Sequence, residues 1–148
     1  MLGTLTRKQC EYVLRSELVG RIGCYAAGKV YVVPVAYVYH KEHIYAHSKE
    51  GLKIKMMRKN AKVCFEVESR ESLNKWRTVV LWGKYEELET LQEQREVKRI
   101  LQDRFMGYTM SDTVMPNPYT NSPGEVEKAR KPVFYRISID EISGRFEK

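Results

Sequence analysis

The sequence predicts a mainly β (α+β) fold, a small antiparallel barrel with helices at its connections. Runs of β-branched and aromatic residues recur along most of the chain, bounded by polar or glycine-containing breaks. Helical periodicity is confined to a few short stretches between those runs. Strands and helices do not alternate as βαβ units, which argues against a parallel sheet. With 148 residues, no internal repeat and no low-complexity tract, one domain spanning 1–148 is expected.

Thr6 is a suitable N-cap, and Cys10, Val13, Leu14 and Leu18 follow at helical spacing, so a helix is expected to end near Val19–Gly20. Arg21–Ala27 reads as a strand, and Gly28–Lys29 turns it into a second, Val30–Tyr39. That second run is almost wholly apolar and aromatic, the pattern of a strand buried on both faces. It would span ~33 Å, the height of a small barrel. His40, Lys41, Glu42 and His43 form a polar break, read as a solvated turn rather than a metal site, and Ile44–His47 returns antiparallel.

A short basic helix is expected over Gly51–Asn60. Lys62–Ser69 alternates Val63, Phe65 and Val67 against Cys64, Glu66 and Glu68, a strand with one wetter face. Arg70–Lys75 reads as a polar loop. The strand opened by Trp76 runs to Leu88, with Gly83 marking a bulge or a close backbone approach. Trp82 is expected to plug the barrel, and Tyr31, Tyr37, Tyr39 and Tyr45 to serve packing. Thr90 caps a helix with an apolar stripe of Val97, Ile100, Leu101 and Phe105. Four of the five prolines fall in 107–132, read as a loop or flap, and Val133–Ile142 is the last strand.

No apolar run approaches the ~20 residues of a membrane span, and the N-terminus lacks the apolar core of a signal peptide. Cys10, Cys24 and Cys64 are odd in number and widely spaced, which suits a reducing cytoplasm and supplies no zinc-binding pair. The net charge is +7, and Lys49, Lys53, Lys55, Arg58, Lys59 and Lys62 crowd together against one acid, Glu50. Part of that run is a solvated helix face; the rest suits attraction of an anionic ligand. A nucleic-acid interface is not expected, because no exposed-looking aromatics interleave with the basic residues in a recognisable motif.

His47, Ser48, Gly51 and Lys53 converge where the basic helix begins. Free N–H groups of a helix start, a hydroxyl, a glycine and a lysine together suit a phosphate dianion. No nucleophile, base and orienter can be assembled, and neither G-x-S-x-G nor H-E-x-x-H occurs, so no catalytic side chain is assigned. That suits chemistry carried by a cofactor.

The order GRIG, VPVAYVY, IYAHSKEGLK and WRTVVLWG, over roughly Leu5–Leu88, resembles the flavin-binding split barrels related to pyridoxamine 5′-phosphate oxidase, in particular the nitroimidazole-resistance branch. The resemblance implies a six-stranded antiparallel split barrel that dimerises, with FMN between subunits. Val35, Ala36 and Tyr37 would lie along the isoalloxazine, largely through backbone groups. His47, Ser48 and Lys53 would hold the phosphate end, and Trp76, Arg77, Thr78 and Val79 would reach the flavin from the partner chain. Where the oxidase proper has an arginine–lysine pair, this chain has Ser48–Lys49. It also ends ISGRFEK, without the oxidase's substrate-recognition sequence, so pyridoxamine phosphate is not the expected substrate.

The expected function is an FMN-dependent oxidoreductase passing electrons or hydride from a nicotinamide donor to a small acceptor. A non-catalytic flavin-binding or storage protein, a deazaflavin protein and a haem-handling relative are the alternatives. A homodimer without a membrane or nucleic-acid partner is expected.

Overall fold

The computed structural model describes residues 1–107 and 132–148, among which lie three helices and nine strands. In chain order they are β1 (Leu2–Thr4), α1 (Arg7–Ser16), β2 (Val19–Ala26), β3 (Lys29–Ala36), β4 (Val38–His40), β5 (His43–Ser48), α2 (Leu52–Lys59), β6 (Lys62–Ser72), β7 (Lys75–Glu87), α3 (Leu91–Phe105), β8 (Val133–Ser138) and β9 (Glu141–Glu147). The expected loop or flap over 107–132 lies, apart from its ends, outside the described residues.

The fold is the expected mainly antiparallel split barrel, but with nine strands instead of six. Two of the long expected strands are each divided, Val30–Tyr39 into β3 and β4 and the last one into β8 and β9. The added β1 is too short to leave a period in the sequence. Hydrogen-bonded neighbours follow the order β3-β2-β6-β7-β8-β5-β4, with β9 pairing β7 and β1. The two ends of this path, β3 and β4, are consecutive halves of one extended stretch. The sheet therefore curls round on itself without closing its hydrogen-bond ladder.

Tyr37 sits at that division. Its N–H donates to Leu18 O at 3.1 Å, its hydroxyl donates to Leu14 O at 2.7 Å, and its buried ring meets Phe65 edge-on at 4.9 Å. Before Tyr37 the chain pairs with β2; after it, with β5. The same bonds explain why α1 stops at Ser16 instead of near Gly20. Tyr37 takes the carbonyl of Leu14, Arg104 Nη2 donates to Arg15 O at 3.0 Å, and the Ser16 hydroxyl bonds back to Tyr12 O at 2.8 Å. At the other end Thr6 and Gln9 form a reciprocal capping box.

Turn chemistry fixes the hairpins. Ala27 (φ 50°) and Gly28 (φ 77°) form the two-residue link between β2 and β3, where positive φ at both positions matches the strand twist. The polar loop expected over Arg70–Lys75 shrinks to Leu73–Asn74, because pairing continues to Ser72↔Lys75 past a register shift between Arg70 and Ser72.

The barrel interior is filled by Ile22, Tyr37, Phe65, Leu81, Tyr135 and Ile137, all fully buried. Helix α3 covers the outside of β4, β5 and β8 through Val97, Leu101 and Phe105 against Val38, Tyr45 and Phe134. The β3 strand departs from the sequence expectation. It lies at the end of the sheet path, so its outer face is uncovered before Ala36, and Val30 and Val32 are 71% and 62% exposed. Trp82 is likewise no barrel plug: it stands on the outer face, 43% exposed, because Leu81 takes the inward position. None of the described helices is long and apolar enough to cross a membrane.

Strand β7 is the spine. One edge pairs with β6; the other pairs first with β9 (Trp76–Trp82) and then with β8 (Tyr85–Glu87). The change of partner occurs at Gly83, where an added Cβ would lie 1.6 Å from Ser138 O. The glycine permits the backbone crossing that lets one strand serve both halves of the barrel. The chain ends meet nearby: β1 pairs with β9, and the N–H of Lys148 donates to Met1 O at 3.2 Å.

Gly83→Ala is expected to destabilise the fold by about 2 kcal/mol or more, because backbone must move to admit the methyl group. Urea unfolding measures this. A loss below ~0.5 kcal/mol, the size of an ordinary surface change, would show that the crossing is not sterically tight.

Candidate functional site

The end of β5, the following loop and the first turn of α2 face β3 across an open cleft of about 380 Å³. Tyr31, Pro34 and Val35 form its β3 wall; His47, Ser48 and the run from Lys49 to Lys53 form the other. The expected phosphate-binding residues His47, Ser48 and Lys53 are thus brought together, with Val35 opposite them.

The seat is electropositive by construction. Gly51 occupies the N-cap of α2 and no side chain caps it, nor does the first turn carry an acid. The N–H groups that open the helix keep their bonding capacity, at the positive end of its dipole. A Cβ on Gly51 would meet only Lys49 O at 3.8 Å, so protein packing does not require a glycine there. Ser48 is buried, with its hydroxyl donating to Lys49 O at 2.9 Å. The His47 ring is buried 6.1 Å from that of Phe134, its cross-strand partner.

Lys53 is half-buried, and burial lowers its pKa from the ordinary lysine value, offset in part by the Cys24 thiol nearby. No carboxylate among the described residues compensates this amine. A desolvated ammonium beside an uncapped helix start is chemically suited to an anion.

The other expected contacts are distributed differently. Ala36 is buried on the outer face of β3, opposite Val19. Tyr37 is a fully buried core residue with its N–H and hydroxyl both bonded. As the terminal strand, β3 has one edge without a strand partner among the described residues, and it is the backbone of this segment that the sequence reading offers to a ligand. Trp76 and Arg77 line a separate cleft of about 70 Å³ with Ser69, Phe146 and Lys148, sharing no residue with the first. Trp76 Nε1 donates to Glu147 at 3.0 Å. Thr78 Oγ1 donates to Glu66 at 3.2 Å, and Val79 is fully buried in the barrel core. Within one protomer, then, the Trp76–Val79 group does not reach the anion seat.

Sequence reasoning missed Tyr31, Pro34 and Glu50 as cleft residues. Tyr31 was available from strand periodicity, since it shares the inward face with Val35. Pro34 faces the other way and reaches the cleft only from the free edge of β3, for which the sequence holds no signal.

The architecture has relatives. Over the whole chain it matches the structure of a FAD-binding protein of Mesorhizobium loti, at 32% identity and a TM-score of 0.76, covering 98% of that chain. A Bacteroides thetaiotaomicron protein named for 5-nitroimidazole antibiotic resistance shares the fold at a TM-score of 0.72 and 20% identity, with 99% of this chain and 89% of that one covered. An uncharacterized protein of Rhizobium meliloti is 27% identical over 145 residues, 95% of this chain and 92% of that protein. The family model for pyridoxamine 5′-phosphate oxidase matches residues 6–146, from the cap of α1 into β9. With the barrel and these matches in agreement, the chain belongs to the pyridoxamine 5′-phosphate oxidase family.

Proposed function

We propose that this protein binds a flavin, FMN in the first instance, with its phosphate on Ser48, Lys53 and the start of α2 and its ring system along the β3 wall. The observation that carries the reading is the half-buried Lys53 ammonium, without a carboxylate partner among the described residues, at an uncapped helix start. The cleft residues fit the group: cation, hydroxyl and free N–H donors lie at one end, and Tyr31, Pro34 and Val35 form an apolar wall beside them. A bound flavin supplies the redox step, and the chain supplies binding, orientation and electrostatics. The proposed activity is electron or hydride transfer from a nicotinamide donor to a small acceptor. FAD is the second reading, favoured by the 32%-identical relative named for it.

The site is completed, on this reading, by Trp76, Arg77 and Thr78 of a second copy; the expected contact of Val79 falls away, because that residue is fully buried in its own barrel. Support comes from the apolar outer face of the sheet, where Val32, Gly23, Cys64 and Trp82 stand in one row across β3, β2, β6 and β7. Val30 and Tyr25 lie exposed beside it. A face of this kind suits burial against a partner.

The deciding experiment titrates FMN, FAD and riboflavin into the apo-protein and follows flavin fluorescence. A charge-assisted bond to phosphate is worth ~1.5–3 kcal/mol, so Lys53→Ala should weaken FMN roughly 10- to 150-fold and leave riboflavin almost unchanged. Lys59→Ala, farther along α2, serves as the control. Equal losses for both flavins would make Lys53 structural. Bleaching of bound flavin by NADH or NADPH tests the oxidoreductase reading; a flavin that stays oxidised counts against it and favours storage.

Lys53→Met should stabilise the apo-protein while abolishing that FMN preference, since it removes an uncompensated ammonium and keeps the stem. The pH sign follows from the lowered pKa. Well below its folded pKa, Lys53 is charged in both states and its penalty is full. Between that pKa and the ordinary 10.5, the unfolded chain holds the proton that the folded one has released, so wild-type stability rises with pH. The advantage of Lys53→Met should therefore be greatest near neutrality and shrink toward pH 10. A constant difference across denaturation curves from pH 7 to 10 contradicts the assignment.

Light scattering of the flavin-loaded protein at micromolar concentration should give twice the protomer mass. A monomer that retains flavin would remove the shared-site reading.

A further inference from the structure

Glu50 is out of place in an anion site. It lines the cleft between Lys49 and Gly51, where its carboxylate would oppose a phosphate. It is held, however, by Arg58 in the last turn of α2, whose Nη2 lies 2.6 Å from Glu50 Oε1. The same guanidinium donates from Nε to Glu87 Oε1 at 2.9 Å, and that oxygen also accepts from the Tyr85 hydroxyl at 2.7 Å. Arg58 thus spans from the seat loop to the end of β7, with both carboxylates on one planar fork.

We infer that Arg58 is a positioning residue for the anion site. Its hold on Glu50 keeps that carboxylate directed along α2 and away from the phosphate, and it fixes the loop from Lys49 to Gly51 against β7. The inference rests on the reading of the cleft as a flavin-phosphate site. It separates the two kinds of basic residue on α2: Lys53 faces the ligand, while Arg58 neutralises the acid beside it. The composition supports this division, since Glu50 and Arg58 are the acid and the arginine of an otherwise lysine-rich run.

The test is a flavin titration on the full chain in four forms: wild type, Arg58→Ala, Arg58→Ala with Glu50→Gln, and Lys53→Ala. Arg58→Ala is expected to weaken FMN about 3- to 5-fold, the upper part of the range for a partly exposed charge acting on its neighbour, and to leave riboflavin within twofold. The loss should shrink at high salt. Adding Glu50→Gln should return FMN affinity to within about twofold of wild type, because the opposing charge is then gone.

Equal losses for FMN and riboflavin, no loss at all, or no recovery with Glu50→Gln would each overturn the inference. The Lys53→Ala arm separates the two levels of failure. If it shifts the FMN-to-riboflavin ratio and Arg58→Ala does not, only the role of Arg58 falls. If it leaves the ratio unchanged, the phosphate reading of the cleft falls too. Should Arg58→Ala not fold, Arg58→Gln reads the same ratio in the same pairing with Glu50→Gln.

Discussion

The barrel depends on what happens at Tyr37. An extended stretch that pairs with one neighbour along its first half and another along its second must break its ladder between them, and the freed backbone needs partners. Tyr37 supplies them from one position: its N–H goes to Leu18, its hydroxyl to Leu14, and its ring fills the core against Phe65. The hydroxyl also ends α1, so the helix, the corner and the interior share one side chain. Burial holds the phenol well above its ordinary pKa, and it stays a hydrogen-bond donor through the physiological range.

Much of this was legible in the sequence. Thr6 and Thr90 gave sharp helix starts because capping is local chemistry, and Val63, Phe65 and Val67 gave the inward face of β6 because alternation is imposed by the pleat. The strand breaks were not legible. A run from Val30 to Tyr39 reads as one strand to any local rule, since the change of partner at Tyr37 is imposed by β2 and β5, far apart in sequence. The mistaken two-sided burial has the same origin: apolar composition cannot distinguish a strand buried by its own chain from one whose outer face stays exposed. For the site, the convergence of His47, Ser48 and Lys53 could be read because they lie within one turn region. The ion pairs of Arg58 could not, because Glu87 is 29 residues away.

Electrostatically, the basic run resolves into unequal parts. Hydrogen bonds donated to Glu50 and Glu87 raise the pKa of Arg58 further above its ordinary value, so this charge is committed within the protein. Lys53 moves in the opposite direction because it is partly buried with no carboxylate partner among the described residues. The net charge of +7 therefore says little about ligand binding by itself. On the reading proposed above, the position of one poorly solvated amine relative to a helix start counts for more.

The meeting of the chain ends on β9 has a practical side. Met1 and Lys148 are hydrogen-bonded neighbours, and β9, which pairs with β1, also pairs with the Trp76 end of β7. A purification tag fused to either end would emerge beside Trp76 and Arg77, so tagged material should be compared with cleaved material before any affinity is interpreted. The same proximity suits circular permutation: a short linker could join Lys148 to Met1, and new ends opened at the exposed Leu73–Asn74 turn would leave the order of strands in space unchanged.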